Sequence, residues 1–211
     1  MTQVALALAS LIGSLIIIWL VWRAVSRRRS VPCPAWLSWM VDNPFSMRRT
    51  GATLGQLELA PGLRVLDAGC GPGRLAIPIA KAVGPQGFVL AMDIQPDMLR
   101  RAREKAAKAS VGNLEFLHAG LGEGRLPNSH FDRAVLSTVL GEIPDRLAAM
   151  GEVHAALKPG GFLLVNEVMG DPHYQSIAKV KALAEKAGFR PGASYGGRLA
   201  FSIILEKTLG S

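Results

Sequence analysis

The chain has 211 residues, 49% of them hydrophobic, which is enough for one domain with a buried core and one additional segment. Its formal net charge is +8, and the basic residues form two clusters, at 23–29 and 100–108. The first cluster is typical of arginines that flank a membrane segment and the second of a solvated helix face, and both interpretations are favoured over a nucleic-acid surface. We therefore predict no nucleic-acid partner. The only two cysteines, Cys33 and Cys70, form no CxxC pair, which argues against a structural disulfide and a metal site and fits a reducing compartment.

Residues 1–22 predict a transmembrane anchor. Residues 4–22 carry no charge, and at about 1.5 Å per residue a helix of this length spans close to the ~30 Å hydrocarbon core of a bilayer. Trp19 and Trp22 lie at one end and arginines follow, whereas a signal peptide would need a basic start and a cleavage site. We therefore predict an uncleaved, single-pass anchor in the lipid bilayer, with the rest of the chain cytoplasmic; a buried core helix is the alternative.

Residues 23–50 predict a basic juxtamembrane linker. Three prolines, Pro32, Pro34 and Pro44, interrupt regular structure there. Between them, residues 36–40 contain two tryptophans, a leucine and a methionine, which favour either an amphipathic turn in the membrane interface or a cover for the edge of the domain. Both alternatives stay open.

Residues 51–211 alternate short apolar runs with helix-like segments, a pattern typical of a parallel α/β sheet with crossover helices. The tail predicts an antiparallel hairpin with a turn at Gly196 and Gly197. Strands are predicted at 64–67, 88–92, 114–118, 131–137, 162–167 and 198–207. Helices are predicted at 74–83, with a kink or early stop at Pro78, and at 96–110, 146–157 and 171–186, the last capped by Asp171.

The first predicted strand leads into the glycine-rich sequence VLDAGCGPGR at 65–74. Glycines allow positive φ and let a ligand approach the backbone, and Asp67 can accept hydrogen bonds from a polar or cationic ligand group. A dinucleotide site would read GxGxxG without an acid inside the strand, but here the spacing is GxGxG and Arg74 follows. The motif therefore argues against a dehydrogenase.

A second acid supports a nucleoside ligand. Asp93 ends the second predicted strand, 20 residues after Gly73, where a carboxylate can accept hydrogen bonds from two ribose hydroxyls. Together, DxGxGxG and this acid resemble class I S-adenosylmethionine (SAM) dependent methyltransferases, in particular the ubiquinone/menaquinone C-methyltransferase group, over residues 54–207. The resemblance implies a Rossmann-like, seven-stranded, mostly parallel sheet with an antiparallel C-terminal hairpin, and SAM as cofactor.

The resemblance implies a set of cofactor-binding positions at the carboxyl ends of the strands. For Ile94 and Met98, ordinary core packing is the alternative. The family usually has an acid after strand 3 that contacts the adenine amino group, and this chain has Gly120 in its place. The predicted cofactor-binding residues are Asp67, Ala68, Gly69, Cys70, Gly71, Gly73, Asp93, Ile94, Met98, Gly120, Leu121, Ser137 and Thr138.

The resemblance also places the methyl acceptor beside the segment after strand 4. Glu142 there is a candidate to orient a nucleophile or take up a proton, with a surface acid as the alternative. His173 and Tyr174 are further candidates to face the acceptor, and Arg48 is a candidate to contact the acceptor or the carboxylate of SAM.

The sequence therefore predicts a membrane-anchored SAM-dependent methyltransferase that acts on a hydrophobic or lipid-phase small molecule, either a quinone precursor or a phospholipid headgroup. The alternatives are a soluble small-molecule acceptor such as a thiol, and a non-catalytic SAM-binding membrane protein. Nothing in the sequence indicates an oligomeric state.

Overall fold

The computed structural model describes residues 44–208, with the backbone alone for 44–48, together with part of the N-terminal segment. In that segment the described residues are 3, 4, 6, 7, 10, 11, 13, 14, 17, 18, 20, 21 and 24. The predicted interfacial turn at 36–40 and the side chain of Arg48 lie outside the described residues.

Helices and strands alternate along most of the described domain, as the apolar pattern predicts. The helices are α1 (Pro44–Gln56), α2 (Ala76–Val83), α3 (Pro96–Lys108), α4 (Arg146–Ala156) and α5 (Ile177–Lys186). The strands are β1 (Arg64–Ala68), β2 (Phe88–Asp93), β3 (Leu114–His118), β4 (Phe131–Ser137), β5 (Leu157–Val168), β6 (Arg190–Gly196) and β7 (Ala200–Glu206).

The strands form one seven-stranded sheet in the order β3-β2-β1-β4-β5-β7-β6. Strands β1 to β5 pair in parallel, whereas β7 pairs antiparallel with β5 and with β6. This arrangement confirms the predicted mostly parallel sheet and its C-terminal hairpin. The chain order reverses between β1 and β4, and open α/β sheets bind ligands at the carboxyl ends of the strands on either side of such a reversal.

Two buried apolar clusters cover the two faces of the sheet. Alternate residues of β1 point to opposite faces, so Val65 packs with α2 and the start of α3, while Leu66 packs with α4 and α5. Both side chains are fully buried. The two clusters hold the strand ends, and the loops that follow them, in a fixed arrangement.

Two helix starts differ from their predictions. Helix α2 begins at Ala76 instead of position 74, which places Pro78 in its first turn, where a missing N–H costs nothing and no kink results. Helix α5 begins at Ile177 instead of near Pro172. Asp171 does not cap it, because its Oδ1 accepts a hydrogen bond from the N–H of His173 at 2.6 Å and forms a local turn.

The described residues of the N-terminal segment are helical. Among them and the rest of the described chain, no helix is both long enough and apolar enough to cross a membrane.

Candidate active site

A cavity of about 520 Å³ opens at the carboxyl ends of β1, β2, β3 and β4. Twelve of the predicted site residues line it: Asp67, Gly69, Cys70, Gly71, Asp93, Ile94, Met98, Gly120, Leu121, Ser137, Thr138 and Glu142. Four others, Ala68, Gly73, His173 and Tyr174, do not belong to its lining. Most of the predicted site residues therefore line the cavity.

The glycines of the turn after β1 have different structural roles. Gly69 adopts φ +74°, and a Cβ added to it would lie 2.4 Å from a methyl group of Val139, so a side chain has no room there. Gly71 adopts φ +52° with nothing within 4 Å of its missing Cβ, so it leaves open space beside the cavity. Gly73 instead allows close packing, since a Cβ would lie 3.2 Å from the Cβ of Ala102 on α3.

The Asp93 carboxylate holds this turn. Its Oδ2 accepts a hydrogen bond from the N–H of Gly71, and its Oδ1 accepts one from the N–H of Gln95, both at 2.8 Å. Burial raises the pKa of Asp93, and these two backbone donors oppose that rise. A carboxylate oxygen has more than one lone pair, so Asp93 can also accept from a ligand in the cavity.

Asp67 is a buried acid facing the same cavity. Its side chain is 2% exposed, and its Oδ2 has no hydrogen-bond partner. Burial raises its pKa to about 7, although Arg74 and the N–H of Ala76 favour the ionised form. A buried acceptor without a partner is costly, and its place in the cavity wall indicates a ligand donor.

Arg74 is a site residue that the sequence analysis missed. It is the only lysine or arginine lining the cavity within the described part of the chain. Its guanidinium donates to Thr50 Oγ1 on α1 at 2.8 Å and to Ser137 Oγ at 3.2 Å. Its position directly after the glycines could have marked it as a site residue, but the sequence analysis used Arg74 only to exclude a dinucleotide motif.

The segment after β4 and the loop after β5 meet at a second part of the cavity. Glu142 and Asp171 line it, and buried His173 lies behind them. The imidazole Nδ1 is 3.8 Å from Glu142 Oε1 and 3.7 Å from Asp171 Oδ1. Gly141 makes this approach possible, since a Cβ there would lie 1.9 Å from the carbonyl oxygen of His173. Histidine and two carboxylates in this arrangement can take up and pass on a proton.

Tyr174 does not take part in this cluster. Its hydroxyl donates a hydrogen bond to the carbonyl of Arg198 at 2.9 Å, and its ring packs against Phe201. It therefore holds the C-terminal hairpin against the loop after β5, and its predicted place at the acceptor pocket is not seen.

Glu167 is a buried acid beneath the same loop. It is 1% exposed, its Oε2 accepts from the N–H of Gln175 at 3.0 Å, and burial raises its pKa to about 8. Sequence reasoning missed it because an acid near the end of a strand carries no sign of its burial.

The loop after β3 is held in place by a residue that lies far from it in the sequence. The carboxylate of Glu152 on α4 accepts hydrogen bonds from the N–H groups of Gly122, Arg125 and Leu126, the last two at 2.6 and 2.9 Å. This contact positions Gly120 and Leu121 at the cavity. No local pattern could reveal it, since Glu152 follows Gly122 by 30 residues.

The sheet order, the glycine turn and the acid at the end of β2 define the class I, SAM-dependent methyltransferases. Residues 59–198 match the methyltransferase domain family, and the chain belongs to that family. This result agrees with the resemblance seen in the sequence and with SAM as the cofactor of the class.

Curated relatives of known name match part of the chain. A demethylmenaquinone methyltransferase from Listeria monocytogenes is 33% identical over 111 residues, which are 53% of this chain and 47% of that protein. The ubiquinone/menaquinone biosynthesis C-methyltransferase UbiE of Vibrio vulnificus is 36% identical over 121 residues, 57% of this chain and 46% of that protein. The match thus spans about half the length of these relatives.

Solved structures share the fold. A SAM-dependent methyltransferase from Aquifex aeolicus has a TM-score of 0.77 at 23% identity, covering 84% of this chain and all of that one. The [4+2]-cyclase SpnF has a TM-score of 0.65 at 23% identity, covering 71% of this chain and 59% of that one. Since this second neighbour is named for a cyclisation, the fold alone does not determine the reaction.

Proposed function

We propose that this protein transfers the methyl group of SAM to a hydrophobic small molecule of the quinone-precursor class, held at a membrane. The observation that carries the proposal is the cluster of His173, Glu142 and Asp171 at the same cavity as the glycine turn. Methylation at a ring carbon displaces a proton, and this cluster provides groups to receive it. The names of the curated relatives point to the same acceptor class.

The cavity residues fit SAM. The open backbone at Gly71 suits a closely approaching ligand, and Asp93 suits ribose hydroxyls. Asp67, whose Oδ2 has no hydrogen-bond partner, suits the ammonium of the amino-acid part of SAM. Arg74 suits the carboxylate of the same part. When bound, SAM supplies a methyl group activated by a sulfonium.

The chain's own contribution is positioning, exclusion of water and proton uptake. Ile143 and Pro144 line the cavity beside Glu142 and reduce its contact with water. Glu142 Oε1 receives the acceptor proton and can pass it to His173 Nδ1, because a small movement closes the 3.8 Å between them.

A membrane location is part of the proposal. The seven large apolar side chains described between Val4 and Val21 are 51–70% exposed, which leaves them available to lipid. Arginines follow at 23–29, and the positive-inside rule places the catalytic domain on the cytoplasmic side. An anchor brings the enzyme to an acceptor dissolved in the bilayer.

A second candidate acceptor is a phospholipid amine headgroup. It is favoured by the acidic lining near Glu142, which also includes Asp145 and Asp171 and suits a cationic group. A soluble thiol and a purely SAM-binding role remain alternatives.

The experiment is to incubate membranes with the purified full chain and SAM that carries a radiolabelled methyl group, and then to separate quinones, phospholipids and water-soluble compounds. Label in the quinone fraction supports the proposal, and label in phospholipids supports the second candidate. Label only among water-soluble compounds indicates a soluble acceptor, and no transfer indicates a SAM-binding role. His173→Gln should reduce transfer without weakening the binding of S-adenosylhomocysteine. His130→Gln, which changes a histidine just before β4 that does not line the cavity, should leave both unchanged.

A further inference from the structure

The space beside Gly120 is already occupied by another side chain. A Cβ added to Gly120 would lie 2.5 Å from Oε1 of Glu123 and 3.1 Å from its Cδ. Gly120 does not adopt the left-handed conformation, so the backbone itself does not require glycine. Glycine at 120 therefore serves to admit the carboxylate of Glu123, which stands where a side chain at position 120 would be.

The loop that carries the Glu123 carboxylate is held in place by hydrogen bonds to a side chain of α4. Glu152 holds the N–H groups of Gly122 on one side of Glu123 and of Arg125 and Leu126 on the other. Glu123 lines the cavity. Within the described residues, no hydrogen bond or ion pair involves its carboxylate, so both of its oxygens can accept from a ligand.

The position of this carboxylate relative to Asp93 identifies its ligand group. Asp93 is paired with His118 in the sheet, and the N–H of Ala119 donates to the carbonyl of Asp93 at 3.3 Å. The loop holding Glu123 is thus adjacent to the acid that suits the ribose. Ile94 and Met98, which suit the faces of a flat aromatic base, line the same cavity.

We propose that the carboxylate of Glu123 accepts a hydrogen bond from the exocyclic amino group of the adenine of SAM, in place of an acid at position 120. This inference rests on the SAM site of the proposed function. It makes Glu123 a specificity residue that distinguishes an amino group from a carbonyl oxygen at that point of the base, because a carboxylate repels a carbonyl oxygen.

The test is calorimetric titration of the full chain with S-adenosylhomocysteine and with S-inosylhomocysteine, in which a carbonyl oxygen replaces the amino group. We expect the native protein to prefer the adenosyl compound by on the order of tenfold or more. Glu123→Gln should narrow this preference, since an amide can donate to the carbonyl oxygen. Glu115→Gln, which changes an exposed acid on β3 outside the cavity, should leave the preference unchanged.

A paired variant gives the sharpest outcome. Glu123→Ala should lose the preference, and Gly120→Asp combined with Glu123→Ala should restore it, because the new carboxylate enters the space that Glu123 vacates. An unchanged preference in both Glu123 variants would overturn the assignment while leaving the SAM site intact. Failure of the native protein to bind S-adenosylhomocysteine would instead overturn the proposed function, and this inference with it.

Discussion

The backbone N–H of Gly71 donates a hydrogen bond to Oδ2 of Asp93 across 2.8 Å. The acid at the end of β2 therefore supports the glycine turn that follows β1, in addition to facing the cavity. Two features that appear separately in the sequence form one unit in the structure, so a change at Asp93 acts both on the ligand and on the turn that receives it.

Asp93→Ala should weaken the binding of S-adenosylhomocysteine by roughly 1–3 kcal/mol, the cost of leaving buried hydrogen-bond donors without a partner. Calorimetric titration measures this change. Asp97→Ala, which removes an exposed acid four residues later on α3, is the matched control and should bind normally. Unchanged affinity in the Asp93 variant would rule out the ribose assignment.

Cofactor affinity should rise with pH up to about 7. Burial raises the pKa of Asp67 from its ordinary 3.8 to about 7, so the free protein carries the proton on this carboxyl below that pH. The ammonium of the ligand requires the ionised form, so each pH unit below the pKa should weaken binding by up to about tenfold, and the dependence should level off above it. Titrations of S-adenosylhomocysteine between pH 5 and 8 provide the measurement.

Asp67→Asn is the control for this pH dependence, because an amide does not titrate. It should bind more weakly at pH 8 and show little change between pH 5 and 7. A native protein whose affinity is independent of pH in that range would contradict the role of Asp67.

Gly69→Ala should lower the free energy of unfolding by about 2 kcal/mol or more, since alanine at φ +74° is strained and its Cβ would overlap Val139. Denaturant titration followed by circular dichroism measures the effect. Gly151→Ala, in the middle of α4 with open space around its missing Cβ, should stabilise the protein by about 0.5–1 kcal/mol. Equal effects at the two positions would show that the turn tolerates a side chain.

Removal of residues 1–29 should release the protein from membranes and leave the methyltransferase domain able to bind S-adenosylhomocysteine. The truncated variant should remain in the supernatant after sedimentation of membranes, whereas the full chain should sediment with them. If the truncated variant still sediments with membranes, the predicted membrane anchor is wrong. If it no longer binds S-adenosylhomocysteine, the predicted boundary between linker and domain is wrong.

The sequence predicts the sheet well because most of its strands coincide with single buried apolar runs. Two of its errors lie where one side chain has two local options. Asp171 precedes a proline, which is typical of a helix start, yet its carboxylate accepts from His173 and the helix begins at Ile177. Pro78 indicates a break only if the helix begins before Ala76.

The site was predictable where its residues lie at the end of a strand or just after it, as Asp67, Asp93 and Gly71 do. Contacts between distant parts of the chain were not predictable, and Glu152 shows why, since its hydrogen bonds to the loop after β3 depend on how α4 packs. The acid missing at Gly120 looked like a gap in the cofactor pocket. In the structure, Glu123 occupies that space.

The most direct test of this account is a pair of calorimetric titrations of the full chain, one with S-adenosylhomocysteine and one with NADH. The cavity around Gly71 and Asp93 predicts saturable binding of S-adenosylhomocysteine and none of NADH. Binding of NADH without binding of S-adenosylhomocysteine would contradict the assignment of this cavity to SAM.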